Sequence, residues 1–171
     1  MPMLIRWTGQ NAVAAEDPFT AVADEDFIPR GDVIISLQRF HSEGQRLLAE
    51  GRKVGVRIEA NEQVEDIAAD LPNISVVALA FPSFLQGQAY SSARILRERY
   101  RYEGEIRAVG NVLREQAGFM IRCGFDVFAP ADGATPDEWT HVAHRFRHVY
   151  QRGEDGRAPA FEERRTEGVV S

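Results

Sequence analysis

Cysteine is all but absent. Cys123 is the only one, so no internal disulfide can form, which suits a reducing compartment. Lysine is as scarce: Lys53 stands alone, and every other basic residue is an arginine. No apolar run approaches the ~20 residues that a helical bilayer crossing needs. The opening Met1-Pro2-Met3-Leu4-Ile5-Arg6-Trp7 lacks the basic flank, apolar stretch and small-residue cleavage site of a secretory leader. These absences lead to the expectation of a soluble, cytoplasmic protein with no membrane partner. The net charge of -6 works against nucleic acid as a partner, because a phosphate backbone repels the average surface. Catalytic signatures are missing as well. There is no Walker loop, Gly-x-Ser-x-Gly elbow, paired-cysteine metal site, or flavin or nicotinamide fingerprint, and the cofactor, if one is used, stays unknown at this level.

What is present is enough for one packed domain: 171 residues, 44% hydrophobic and 27% charged. Residues 1–31 read as an irregular acidic lead-in with a weak strand signal at Leu4–Trp7. Residues 32–150 read as a single α/β domain, and 151–171 as a polar tail. Within the domain, strands are expected at Val33–Leu37, Val54–Ile58, Ile74–Ala80, Glu105–Val109 and Phe125–Ala129. Helical text lies between them. Asn61 is placed to cap the second helix, and Leu113–Cys123 reads as a later one. The last helix carries the clearest start, with Thr135 at the N-cap, Pro136 at the first turn and Glu138 completing a capping box.

Such alternation implies a mostly parallel five-stranded sheet with right-handed crossovers. The first expectation is a flavodoxin-like α/β sheet with helices on both faces, and a partial (β/α) barrel is the alternative. Both architectures gather ligands at the carboxyl ends of the strands, so the loops following the strands become the candidate site.

Charge is unevenly spread. Between Arg94 and Arg122 lie seven arginines against four glutamates, a local excess of +3 in an acidic chain. Arginine's planar fork suits phosphate, sulfate or carboxylate. The bland alternative is a set of solvated helix faces with internal ion pairs. Sorting by face sets aside Arg97, Arg99, Arg101 and Arg122, the last of which points away from its helix's apolar stripe toward solvent or a partner. Gln88, Ser91, Arg94, Arg107, Asn111 and Arg114 remain as the expected ligand-binding set. Gly87 and the following helix start would supply free N–H groups, and Arg107 would either reach the crevice from its strand or pair with Glu105. Cys123 reads as a buried structural thiol. His141, His144 and His148 share one face of the last helix, but no carboxylate is placed to orient them and neighbouring arginines repel a cation, so no metal is assigned.

Four stretches resemble a known bacterial family: Phe81-Pro82-Ser83-Phe84, Tyr90-Ser91-Ser92-Ala93-Arg94-Ile95-Leu96-Arg97, Gly104-Glu105-Ile106-Arg107-Ala108-Val109-Gly110, and Arg122-Cys123-Gly124-Phe125-Asp126. The chain is similar to the domain-of-unknown-function family 934, whose genes commonly lie beside those of sulfite reduction. The likeness is dense over residues 74–130 and looser over 30–73. It differs from the family pattern where Gln86-Gly87-Gln88 replaces Asp-Gly-Arg, Asn111 replaces Asp, and Glu115 replaces Asp. Those changes remove charge from two loops, which favours binding over catalysis. The resemblance implies an accessory or regulatory protein of assimilatory sulfite reduction that binds a small oxyanion or phosphorylated ligand. Two alternatives stay open. One is a cofactor-dependent oxidoreductase of that pathway. The other is a module docking on a sulfite or nitrite reductase subunit through the histidine–arginine face of the last helix, with Arg145 and Arg147. Homo-oligomers are compatible with any of these.

Overall fold

Six strands run parallel and lie in the order in which the chain makes them. In the computed structural model, which describes residues 3–82 and 87–145, these are β3 (Thr20–Ala21), β4 (Val33–Ser36), β5 (Val54–Ile58), β6 (Val76–Phe81), β7 (Glu105–Gly110) and β8 (Val127–Phe128). Two earlier strands complete an eight-stranded sheet, order β2-β1-β8-β7-β6-β5-β4-β3: β1 (Leu4–Trp7) adds antiparallel to β8, and β2 (Ala12–Ala15) antiparallel to β1. The central β6 is buried along its whole length, as its unbroken apolar text requires.

Four α-helices fill the connections: α1 (Leu37–Ala49), α2 (Gln88–Arg94), α3 (Ala117–Cys123) and α4 (Pro136–Arg145). A ten-residue 3-10 segment, Val64–Asn73, joins β5 to β6. All of them pack on the same side. The main core joins helical residues such as Phe40, Ile67, Leu96, Met120 and Trp139 to Val56, Leu79, Ile106 and Phe128 of the strands. The second cluster, on the opposite face, holds only Ile34, Val76 and Ala78, with Phe19 and Val109 against them, and no helical residue.

This corrects the flavodoxin-like expectation. Helices cover both faces of a sheet only where strand order reverses, so that right-handed crossovers pass first on one side and then on the other. Here the winding never reverses. The sheet has eight strands rather than five, is mixed rather than purely parallel, and curls into a half-barrel. The partial-barrel alternative fits.

The lead-in is also more regular than its text implies, because β1, β2 and β3 all fall within residues 1–31. Ala12–Ala15 carries three alanines and has no strand preference of its own. Its pairing with β1 fixes it, in a register from Leu4↔Ala15 to Trp7↔Ala12. Other boundaries shift for local reasons. Asn61 does not cap: Gln63 starts the 3-10 segment, without a side-chain hydrogen bond. The helical text after Gln88 ends in a π turn, Ile95–Arg99, where the Tyr100 N–H reaches the Ile95 carbonyl at 3.2 Å. The capping box of α4 forms as read, with the Glu138 N–H donating to Thr135 Oγ1 at 3.2 Å and the Thr135 N–H to Glu138 Oε2 at 2.8 Å.

Gly110 ends β7 where only glycine fits. Its φ is +86°, and an added Cβ would lie 2.5 Å from the Phe81 carbonyl oxygen. Gly110→Ala should therefore destabilise the fold by about 1–3 kcal/mol. A urea melt with an unchanged midpoint would show that the turn tolerates the methyl group.

Candidate functional site

With every helix on one side, the other face of the sheet is open for chemistry. Residues opposite one another in register point the same way. One transverse row on the inner face therefore reads Ser36, Arg57, Ala78, Arg107, Val127, Arg6. Arg57 and Arg107 sit two strands apart, about 10 Å at the backbone, with the small Ala78 between them. The gap this leaves is the floor of a cavity of ≈ 620 Å³ that also takes in Leu4, Ile34, Val109 and Ala129. Asp17 and the stretch Ala21–Asp24 form its outer wall.

Arg107 is 3% exposed and fully engaged by carboxylates. Its Nε donates to Glu105 Oε2 at 2.7 Å and its Nη1 to Asp17 Oδ2 at 3.0 Å. The Phe19 ring lies 5.9 Å from the guanidinium carbon. Glu105 also takes Arg6 Nη2 at 3.1 Å, so one carboxylate ties two arginines together. A buried charge demands such compensation. Arg57 differs. It pairs with Glu59 at 2.7 Å, but both side chains are about half exposed, 44% and 51%, so the pair is weak and easily exchanged. At the same mouth the Ser36 hydroxyl donates to Asp24.

The residues expected from sequence scatter over both sides of the sheet. Arg107 alone lines this cavity. It does pair with Glu105, and it also faces the hollow, so the two readings of it coexist. Gln88 and Ser91 are exposed on α2, while the neighbouring Ser92 is the buried serine. Gln86 lies outside the described residues. Arg94 belongs to the helical layer, where it pairs with Glu98 at 3.5 Å and acts electrostatically on the Cys123 thiol. The sheet stands between Arg94 and Arg107. Cys123 is fully buried; burial pushes its thiol up, and Arg94 offsets this only in part. It is a core residue, as read. Arg122 is a correction: it is buried, with its guanidinium over the Phe119 ring at 5.7 Å, rather than facing solvent. Arg97 binds the carbonyls of Tyr102, Gly104 and Gly124 and so fixes the turn before β7.

Asn111 and Arg114, both of the expected ligand-binding set, follow β7, and the donors of Arg114 already hold an anion of the protein's own. Asp132 accepts the Arg114 N–H at 2.9 Å and the Arg114 Nε at 3.2 Å, and the Ala134 N–H at 3.1 Å. Glu138 meets Arg114 Nη1 at 2.9 Å. His144 is likewise committed, its ring centroid 5.5 Å from that of Trp7 on β1. His148 and Arg147 lie outside the described residues. Among the described residues no group of histidines, cysteines and carboxylates is disposed to hold a metal ion, and no helix is long and apolar enough to cross a membrane.

Sequence reasoning missed Arg57, Ser36, Asp17 and Arg6 as members of one site. A signal for Arg57 was present: it interrupts Val54–Ile58 as Arg107 interrupts its own strand, a charge at a strand position facing away from the helices.

Two outcomes follow from the charges. Arg107→Met leaves Asp17 without its ion pair and Glu105 with Arg6 alone and should cost about 3 kcal/mol, whereas Arg57→Ala should cost under about 1 kcal/mol. Equal urea midpoints for the two variants would contradict this ranking. At Asp132, burial works to raise the carboxyl, but hydrogen bonds from the Arg114 and Ala134 N–H groups and the Arg114 guanidinium outweigh it and hold it below its ordinary 3.8. The Thr135 N–H first, and then the Arg114 charge, lower Glu138 from 4.5. Stability from a lowered carboxyl is present above its unfolded value and lost as pH falls through its folded one. Asp132→Asn should thus destabilise at pH 7, and the difference from the unsubstituted protein should shrink as pH drops below 3.8. A difference that persists undiminished in acid would refute the assignment.

A family model described as a bacterial protein of unknown function (DUF934) matches residues 55–161, more than half of the chain. No curated protein matches it.

Proposed function

The chain belongs to this DUF934 family, and from that premise we propose that it binds a small oxyanion or phosphorylated ligand on the inner face of its half-barrel. The role is accessory or regulatory, in assimilatory sulfite reduction. The single observation that carries the binding reading is the ≈ 620 Å³ cavity whose floor holds Arg57 and Arg107 in one row. Its size is that of a small-molecule site, and it offers an apolar floor with a few convergent polar groups. Other hollows are of similar volume. The one lined by Gln38, His41, Asn61 and Asp66, ≈ 610 Å³, is more open and has no cation of its own besides a histidine. Hollows of ≈ 490 and ≈ 510 Å³ are lined by one arginine each, Arg101 and Arg97. Volume therefore does not decide among them; the pair Arg57 and Arg107 in one row does.

Within the site, Arg57 is the cation that an arriving anion meets first, because its bond to Glu59 is exposed and easily exchanged. Ser36 adds a hydroxyl at the mouth. Leu4, Ile34, Val109 and Ala129 suit the apolar body of an organic ligand. The pathway part of the proposal rests on the family resemblance read from the sequence.

Thermal-shift titration with sulfite, sulfate, inorganic phosphate, flavin mononucleotide and ADP tests the reading. At least one should raise the melting temperature in a dose-dependent way, and Arg57→Ala should weaken that ligand about tenfold or more. No shift with any of the five would sink the proposal.

A further inference from the structure

We infer that the segment Asp17–Asp24 is an autoinhibitory strap, and that the Asp17 carboxylate occupies on Arg107 the place taken by the ligand's anionic group. The inference rests on the inner-face binding site proposed above and adds to it a gate and a second contact point.

The two carboxylates on Arg107 are not equivalent. Glu105 is part of β7, hydrogen-bonded into the sheet between β6 and β8, and cannot leave without breaking it. Asp17 lies between β2 and β3, outside any strand. The segment that carries it is held lightly. It has one two-residue strand, with the Thr20 N–H on the Asp32 carbonyl at 2.9 Å and the Val22 N–H on the Ile34 carbonyl at 3.0 Å. At its far end Asp24 accepts from Ser36, and Arg39 Nη1 donates to the Ala23 carbonyl at 2.6 Å. Ala21, Ala23 and Asp24 are exposed on its outer side, while Phe19 alone reaches the inner-face apolar cluster.

A guanidinium buried as deeply as Arg107 needs an anion beside it at all times. Glu105 stays on the Nε edge throughout, and with the strap down Asp17 is the anion on the Nη edge. With the strap lifted, that Nη edge faces a cavity of ≈ 620 Å³, and an incoming oxyanion restores the second pairing. Opening is then an exchange of one anion for another on the Nη edge, which spares its donors the loss of a partner. Before that exchange the ligand has Arg57 to land on, two strands away in the same row.

The test uses the full chain and inorganic phosphate followed by isothermal calorimetry. Asp17→Asn keeps an oxygen for the Phe19 N–H, which Asp17 Oδ1 accepts at 3.0 Å, but removes the charge that competes on Arg107. A strap closed nine-tenths of the time weakens a ligand about tenfold, so Asp17→Asn should bind phosphate about tenfold more tightly than the unsubstituted protein. Asp24→Asn loosens the far end without touching Arg107 and should move affinity in the same direction. Hydrogen exchange at Thr20 and Val22 should quicken when phosphate saturates. Affinities equal across the three proteins, or slower exchange at those amides, would overturn the strap while leaving the inner-face site standing. Failure of phosphate and of the other four titrants to bind any of the three would remove the site itself, and the strap with it.

Discussion

Right-handed crossovers repeated without reversal carry the helical connections from β4 to β8 over the same side of the sheet. One face is then sealed by helices, and the other must be finished with short side chains, ion pairs and the chain's own first residues. The apolar cover on that inner face is thin: Ile34, Val76 and Ala78 with Phe19 and Val109 against them, and Leu4 and Val127 beside. The rest is charge: Arg6, Arg57 and Arg107 in one row, answered by Glu105, Asp17 and Glu59. Where a second helical layer would stand in a doubly wound sheet, this protein has a hollow with cations in its floor.

A common pattern links that face to the loops. At each place where the fold could hold an anion, it already holds one of its own. Asp17 occupies Arg107, and Asp132 occupies the backbone and side chain of Arg114. This reconciles an arginine-rich middle with an acidic whole, since many of those guanidinium groups are closed by internal carboxylates or carbonyls. The two cases differ in how firmly the anion is held. Asp132 receives three hydrogen bonds from Arg114 and Ala134, in a loop that Glu138 also buttresses. Asp17 depends on one guanidinium contact and one N–H.

Arginines close in sequence have quite separate employment. Arg94, Arg97 and Arg122 belong to the helical side, where they meet Cys123, three backbone carbonyls and Phe119 respectively. Arg107 belongs to the inner side. The sheet lies between them, so the window of positive charge does not form one patch. Arg97 in particular is a structural staple: Gly124 must be a glycine partly because a Cβ there would come within 2.6 Å of Arg97 Cγ.

Much of the local structure was legible without coordinates. The apolar run at Ile74–Ala80, the strand at Val54–Ile58 and the Thr135–Glu138 capping box were each carried by a short contiguous stretch, the first two by apolar composition and the last by residues three apart. The family was legible too, since its residues lie in short contiguous stretches. Strand order was not, because right-handed crossovers permit helices on one face or on both, and only long-range pairing chooses. The edge strands β2 and β3 escaped for a related reason: alanine-rich or two residues long, they take their form from the strands they join, while β1 showed only as a weak signal at Leu4–Trp7. The site was half visible. Arg107 stood out as a charge in an apolar strand, but its partner Asp17, and the Arg6 that shares Glu105 with it, are distant in sequence by roughly a hundred residues. The sequence by itself determined the five strands from β4 to β8, the α/β class and the family. Tertiary structure decided which face each arginine shares, because a side chain's direction is local while its company is set by the winding of the whole sheet.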